Sequence, residues 1–239
     1  MNLFLLAFMF FFTLLHGYDD TVLTTYRAAE TANTQNERQA LFNKALHEYL
    51  AIQDSSASLQ YNIANCYAQL GEYGLAILYY YRALHKNPRF EKAQVNLQIT
   101  AQKIDLHLEN REPSFPLSSL ELKLCCLGAA AAGFLFFSLY LWTRHSLLRQ
   151  LGILALLTAV IFFVLIAWMQ WFSHIDAVII APTQLKKDTG VQYTPISTKD
   201  PLYGQRVRVM EIMPDGLWLK IKTSNGEEGY VSKEQARII

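Results

Sequence analysis

The sequence predicts a multi-domain membrane protein with an all-α module, a two-helix apolar hairpin and a C-terminal all-β module. Of its 239 residues, 52% are apolar and 17% are charged, against roughly 25% charged in an ordinary soluble domain. Helical periodicity with few Gly or Pro occupies residues 21–110, and two uncharged stretches follow it. Short Val- and Ile-rich runs between turn residues then occupy 175–239. The formal net charge of +1 argues against a nucleic-acid partner.

The first apolar stretch lies at the N-terminus. It runs from Leu3 to Leu15, about 13 residues, which suits the apolar region of a signal peptide better than a membrane span. No Lys or Arg precedes it, and Leu15-His16-Gly17 is a poor cleavage site. Residues 1–17 are therefore predicted to be either a signal peptide or an uncleaved signal anchor.

Two transmembrane helices are predicted at 118–143 and 151–173. Their uncharged cores, Leu124–Trp142 and Leu151–Phe172, are each about 20 residues long, enough to cross a ~30 Å hydrocarbon layer. Neither core contains Asp, Glu, Lys or Arg. That absence argues against a transporter or proton channel, because such mechanisms use intramembrane charges.

The predicted loop 144–150 fixes the expected orientation. It contains Arg144 and Arg149 and no acidic residue, so the positive-inside rule places it in the cytoplasm. Both flanking modules are then extracytoplasmic. The chain is therefore expected to cross the membrane twice, with both soluble modules outside the cytoplasm.

Small residues recur at a spacing of four in both spans. Such residues either let helices approach closely or act simply as apolar filler, and both alternatives stay open. The pairs are Gly128/Ala132, Ala129/Gly133 and Ala155/Ala159. Cys125 and Cys126 are interpreted as small apolar residues.

Residues 18–110 form the predicted helical module. A sequence echo at an offset of 31 residues indicates a helical repeat, and the better copy, Tyr61 to Pro88, resembles a tetratricopeptide (TPR) repeat. Gly71 falls at the turn between its two helices, and Pro88 ends the second helix. A following helix, Glu91 to Leu108, is predicted to cap the array. Small residues at Ala64, Ala76 and Ala83 fit closely paired helices.

The resemblance implies a binding groove lined by the first helix of each pair. Asn65 and Asn96 match positions that hold a ligand's backbone or carboxylate in peptide-binding TPR proteins, since an amide both donates and accepts hydrogen bonds. The alternative is that these residues only follow the general repeat consensus. The predicted wall comprises Tyr61, Asn62, Asn65, Gln69, Lys92 and Asn96. Cys66 is predicted to be buried.

Residues 175–239 are predicted to form a small β barrel. The strands are read at 177–181, 206–212, 217–222, 229–231 and 236–239, with Asn225-Gly226 as a hairpin turn. The run from Leu202 to Ile239 resembles a bacterial SH3 domain, with Tyr230 in place of the usual Trp. The resemblance implies a ligand face containing Trp218 and Tyr230, the alternative being that both aromatics complete the core. Residues 186–200 are expected to form a long loop.

The whole order of segments resembles the BatE-type proteins of aerotolerance (Bat) operons. The resemblance implies a bacterial inner-membrane protein assembled with envelope proteins, some carrying von Willebrand A domains. We therefore expect a non-enzymatic scaffold that binds proteins through its TPR groove, or alternatively a cell-wall sensor that binds peptidoglycan peptides. No catalytic motif or metal-ligand spacing is apparent, so no catalytic residue, cofactor or metal is predicted.

Overall fold

The computed structural model describes residues 20–108, 119–171, 174–190, 193–196 and 202–239. The predicted signal segment 1–17 lies outside these residues and stays a prediction. The described part of the chain contains seven α-helices followed by five β-strands. The helices are α1 (Asp20–Thr31), α2 (Gln35–Ala51), α3 (Ala57–Leu70), α4 (Tyr73–Lys86), α5 (Glu91–Gln102), α6 (Ser119–Thr143) and α7 (Ser146–Trp171).

Local sequence signals set the ends of the array helices. The side chain of Thr34 accepts a hydrogen bond from the Glu37 amide at 3.3 Å, and Ser56 accepts one from Leu59 at 3.3 Å. These N-caps satisfy amides that have no partner within the helix. Gly71 ends α3 with φ of 84°, a left-handed conformation that glycine adopts without steric cost.

Helices α1 to α5 pack successively as two antiparallel pairs plus one further helix. Wholly buried small residues, Ala64 on α3 and Ala76 and Ala83 on α4, confirm the expected close pairing. The last helix is shorter than predicted: α5 ends at Gln102, not near Leu108. The chain turns directly after it, where Asp105 adopts a left-handed φ of 52°.

Helices α6 and α7 form an antiparallel hairpin with a shorter loop than predicted. The sequence predicts a loop at 144–150, but α7 begins at Ser146, which leaves two connecting residues. Residues 146–150 contain no Gly or Pro, so nothing in them prevents a helix. Arg144 adopts a left-handed φ of 57°, which reverses the chain within the two connecting residues. Leu120–Thr143 and Ser146–Trp171 are each long and apolar enough to cross a membrane.

Two glycines set the contact between α6 and α7. A Cβ atom on Gly133 would lie 2.8 Å from the Leu156 side chain, and one on Gly152 would lie 3.3 Å from the Phe137 amide nitrogen. Gly133 therefore takes part in helix packing, as one of the two alternatives predicted. A Cβ on Gly128, by contrast, would meet nothing within 4 Å.

The C-terminal module is a five-stranded antiparallel sheet in the order β4-β3-β2-β1-β5. The strand register shifts between Val209 and Glu211 of β2, a bulge that bends the strand. The first strand begins two residues earlier than predicted, because Ile175 already pairs with Val209. The strands are β1 (Ile175–Ile179), β2 (Arg206–Ile212), β3 (Trp218–Lys222), β4 (Glu228–Ser232) and β5 (Ala236–Ile238).

The sheet packs against the outer side of α4. Val178 of β1 is wholly buried in the same apolar cluster as Ala76 and Ile77 of α4. The amide of Gly74 donates to the Tyr203 hydroxyl at 2.9 Å. A guanidinium nitrogen of Arg82 donates to a carbonyl at the other end of the junction, that of Ile238, at 2.7 Å. The helical array and β1 therefore share an apolar cluster, which is separate from the sheet's own core.

A backbone contact at Gly74 makes this junction close. A Cβ atom at that position would lie 2.7 Å from the Ile180 carbonyl oxygen and 2.7 Å from the Tyr203 ring. Gly204, next to Tyr203, also lies against the array, where its Cβ would meet the Ile104 and Ile77 side chains. Each module thus contributes a glycine to the contact between them.

Candidate partner-binding site

A shallow cleft lies between the start of α3 and the start of α5. Its volume is about 480 Å³, and it is open to solvent on one side. Three of the residues predicted for the groove, Tyr61, Asn62 and Lys92, lie together in it. The full lining is Ser58, Tyr61, Asn62, Arg89, Phe90, Glu91 and Lys92.

Asn65 and Asn96, which the sequence predicted for ligand contact, bond to each other. The Asn96 amide nitrogen donates to Asn65 Oδ1 at 2.9 Å and to the Tyr61 hydroxyl at 3.1 Å. The Tyr80 hydroxyl also donates to Asn65 Oδ1, at 2.7 Å. Both acceptor sites of the Asn65 carbonyl and both hydrogens of the Asn96 amide are thus occupied by protein. These two groups therefore hold the helices together, and contact of Asn65 and Asn96 with a ligand stays a prediction.

This network ties α3, α4 and α5 together beneath the cleft. Tyr80 is wholly buried, and its burial raises the pKa of its hydroxyl group. The hydroxyl therefore remains a proton donor to Asn65 at any physiological pH. A buried donor without an acceptor costs roughly 1–3 kcal/mol, so the asparagine that satisfies Tyr80 helps to hold the cleft in shape.

Aromatic rings form the apolar part of the cleft. The Tyr61 and Phe90 rings lie 5.0 Å apart between centroids with an interplanar angle of 44°, within the range of favourable aromatic pairs. Tyr61 also contacts Tyr80 with a centroid distance of 6.1 Å. The half-buried Tyr61 and Phe90 rings thus offer an apolar surface beside the polar side chains of Ser58 and Asn62.

Charged side chains border the same cleft. Lys92 is exposed at the first turn of α5, next to the acidic Glu91. Arg89 forms an ion pair with Glu121 in the first turn of α6. The cleft therefore opens directly beside the beginning of the apolar hairpin.

Four lining residues were not predicted from the sequence: Ser58, Arg89, Phe90 and Glu91. The last three occupy the short connection after Pro88 and the first turn of α5, where helical periodicity gives no signal for a groove residue. Gln69, by contrast, was predicted for the wall; it is exposed near the end of α3 and does not line the cleft.

Trp218 and Tyr230 lie on one face of the sheet. Trp218 pairs with Ser232, and Lys220 pairs with Tyr230, so the two aromatics are diagonal neighbours. The buried Leu219, Ile221 and Val231 alternate with them and fill the core on the opposite face. Both aromatics are half-buried, so they contribute to this outer face rather than to the core.

A lysine lies beside this aromatic pair. Lys186 Nζ is 5.3 Å from the centroid of the Trp218 ring, and the Lys186 backbone pairs with that of Tyr230 through hydrogen bonds of 3.0 and 2.9 Å. The described part of the long β1–β2 connection is thus anchored at this point, beside the predicted ligand face.

Cys66 is wholly buried on α3, as predicted. Burial raises the pKa of its thiol to about 12, so the thiolate that a nucleophilic cysteine requires is scarce at neutral pH. Within the ranges that the structure describes, no three His, Cys, Asp or Glu residues are grouped so as to hold a metal ion.

Comparison with known proteins identifies the repeat. Residues 57–90 match the family model described as a tetratricopeptide repeat. The matched stretch begins with α3, includes α4 and ends at Phe90 in the cleft. The TPR prediction for Tyr61 to Pro88 is therefore confirmed. No curated protein and no solved structure gives a significant match.

Proposed function

We propose that this protein is a non-enzymatic, membrane-anchored scaffold that binds a segment of a protein partner in the cleft between α3 and α5. The observation that carries the proposal is the TPR repeat at 57–90, whose first helix lines an open cleft with Tyr61 and Asn62. TPR repeats imply protein partners in general, because stacked helix pairs present extended concave binding surfaces.

The chemistry of the cleft suits a short peptide segment. Tyr61 and Phe90 offer apolar contact, while Asn62 and Ser58 carry groups that can both donate and accept hydrogen bonds. Lys92 adds a positive charge at the rim, balanced locally by Glu91. We therefore expect a ligand with one apolar side chain and a nearby carboxylate, held without a strong overall charge requirement.

The membrane anchor in this proposal is the α6–α7 hairpin. The positive loop containing Arg144 lies in the cytoplasm under the positive-inside rule, with both modules in the periplasm of a bacterial inner membrane. The packing of the sheet on α4 supports this arrangement, because it requires the two modules to be on the same side of the membrane. The resemblance to BatE-type proteins further favours envelope partners, including von Willebrand A proteins.

Site-specific photocrosslinking in native membranes tests the scaffold proposal. A photoreactive residue replacing Lys92 should give a discrete crosslinked band, whereas one replacing the exposed Lys44 on α2 should not. Asn62→Ala should weaken the same band several-fold, since a lost hydrogen bond costs about 0.5–1.5 kcal/mol. Equal crosslinking from both positions would contradict the proposal.

A second candidate function is recognition of peptidoglycan peptides by the C-terminal sheet. It is favoured by the outward-facing Trp218 and Tyr230 with Lys186 beside them, because a cation next to aromatic rings suits a peptide carboxylate. The strand order and the long β1–β2 connection are consistent with an SH3-like barrel. Retention of the intact protein on purified cell-wall sacculi, lost in Trp218→Ala and kept in Lys92→Ala, would favour this function over the first.

A further inference from the structure

Four large apolar side chains are exposed at one end of the C-terminal sheet. None of them belongs to the ligand face of Trp218 and Tyr230. They come from the start of β1, the end of β2 and the residue before β3. They are Ile175 (49% exposed), Met210 (51%), Ile212 (44%) and Leu217 (64%), and we call them the apolar tip.

Strand pairing places three residues of the apolar tip, Met210, Ile212 and Leu217, beyond the start of β1. Ile175 pairs with Val209, so the chain from Met210 to Ile212 extends further than the point where β1 begins. Three residues of strand extend about 10 Å at ~3.3 Å each. The turn that ends at Leu217 therefore projects past Ile175, on the side from which the preceding chain arrives.

The preceding chain comes directly from the apolar hairpin. Helix α7 ends at Trp171 and β1 begins at Ile175, and four residues of extended chain reach at most about 14 Å. Trp168 and Trp171, both exposed at the end of α7, are residues of a type that prefers the membrane–water interface. The covalent connection therefore holds the apolar tip close to the interfacial end of α7.

We infer that the apolar tip inserts into the lipid surface beside α7, so that the sheet rests on the membrane. This inference depends on the proposed insertion of the α6–α7 hairpin. Apolar side chains at such a surface lie in the boundary between head groups and acyl chains. Insertion would remove from water the exposed side chains of Met210, Ile212 and Leu217, which the described part of the chain leaves uncovered.

The charges around the tip define the kind of lipid surface. Residues 210–217 contain Glu211 and Asp215 and no Lys or Arg, but Lys220 pairs with Glu211 and the Lys233 backbone bonds to that of Leu217. Charges of both signs therefore border the tip, and we expect no strong net attraction to anionic lipids. The inserted surface is expected to bind zwitterionic bilayers, with little dependence on salt, because the apolar contact supplies the driving force.

Fluorescence from single labels in the intact protein tests this inference. Three cysteine variants, Leu217→Cys, Ser224→Cys and Leu157→Cys, are made on a background with Cys66, Cys125 and Cys126 replaced by alanine. Each is labelled with an environment-sensitive dye and reconstituted in phosphatidylcholine vesicles with or without nitroxide-labelled lipid. Ser224 is the matched control, since it is exposed at the opposite end of β3, and Leu157 reports on α7 itself.

We expect the dye at 217 to emit at shorter wavelength than the dye at 224 and to be quenched by nitroxides near the head groups. The dye at 157 should be quenched by nitroxides deeper in the acyl chains. Quenching at 157 together with water-like emission at 217 would overturn the inference while keeping the hairpin in the membrane. A blue-shifted but unquenched dye at 217 would also overturn it, because protein rather than lipid would then cover the tip. Absence of quenching at 157 would refute the membrane anchor itself.

Discussion

Helix pair α3–α4 and helix pair α6–α7 are both antiparallel and both pack through small residues. In the first pair, Ala64 and Ala76 are wholly buried between the helices. In the second, Gly133 and Gly152 bring the backbones together. The pairs differ in what their outer faces present, because α6 and α7 expose residues such as Phe134 and Leu157, whereas α3 and α4 are covered by protein or carry polar residues.

The comparison shows that the contact between two helices and the solvent around them depend on different residues. Close packing of small residues serves both pairs, since van der Waals contact favours it in either medium. The outer face decides the solvent. Exposing an apolar outer face to water instead of lipid costs about 25 cal/mol of free energy for each Å² of apolar surface. The following substitutions break or sharpen this comparison, from the largest expected effect to the smallest.

Ala76→Arg should unfold the array. The side chain at 76 is wholly buried between helices, and an unpaired charge there destabilises by several kcal/mol, a large part of a typical stability of about 5–15 kcal/mol. Thermal unfolding followed by circular dichroism should show the loss. His85→Arg, at an exposed position of the same helix, should melt like the wild type. An unchanged melting curve for Ala76→Arg would contradict the TPR register.

Leu157→Arg tests the outer face of α7, because Leu157 is an exposed residue of that helix. In water such a change is nearly neutral, but in the middle of a membrane helix an arginine costs roughly 2.5–3.5 kcal/mol of insertion free energy. We expect a reduced fraction of protein that resists alkaline carbonate extraction. Gln98→Arg, on an exposed position of α5, should extract like the wild type. Equal extraction of the two variants would place α7 in water.

Gly74→Ala tests whether the array and the sheet form one unit. The added Cβ would lie 2.7 Å from the Ile180 carbonyl, and overpacking of this kind typically costs about 1–3 kcal/mol. Hydrogen exchange should then accelerate in β1 as well as in α4. If exchange accelerated in α4 alone, the contact between the modules would not contribute to the stability of the sheet.

Gly133→Ala tests whether close packing of α6 on α7 stabilises the hairpin. Its Cβ would meet the Leu156 side chain at 2.8 Å and the Leu156 amide nitrogen at 3.3 Å, so α6 and α7 should separate slightly at a cost of about 1 kcal/mol. Gly128→Ala, whose Cβ would meet nothing within 4 Å, is the matched control. Resistance to denaturation in detergent should fall for the first variant and not for the second.

Alkaline pH should weaken the array through Cys66. Burial raises the pKa of this thiol from 9.0 to about 12, so the unfolded chain loses the proton at lower pH than the folded chain. The contribution of this thiol to the free energy of unfolding is constant below about pH 9 and falls by about 1.4 kcal/mol per pH unit above it. Denaturant unfolding between pH 8 and 10.5 should show a shallower decline in Cys66→Ala. Identical slopes would contradict the assigned burial.

The sequence predicted those parts of the site that follow a helical repeat. Tyr61, Asn62 and Lys92 occur at fixed positions of the repeat, and they do line one cleft. Arg89 and Phe90 were missed because they lie in a connection, where periodicity gives no direction for a side chain. The bond between Asn65 and Asn96 was also beyond sequence reasoning, since it depends on the distance between two helices and on side-chain rotamers.

The sequence by itself determined what depends on near neighbours. Gly71 ends α3, Pro88 follows the end of α4, and alternation marks β2 and β3, because caps, turns and periodicity act within a few residues. Only the tertiary structure decided that the sheet packs on α4 and where the cleft opens. Gly74 and Tyr203 bond across 129 positions of sequence. Val178 stands between Ala177 and Ile179 in an uninterrupted buried run, and this run does not reveal which face of β1 the sheet's own core covers and which a second module covers.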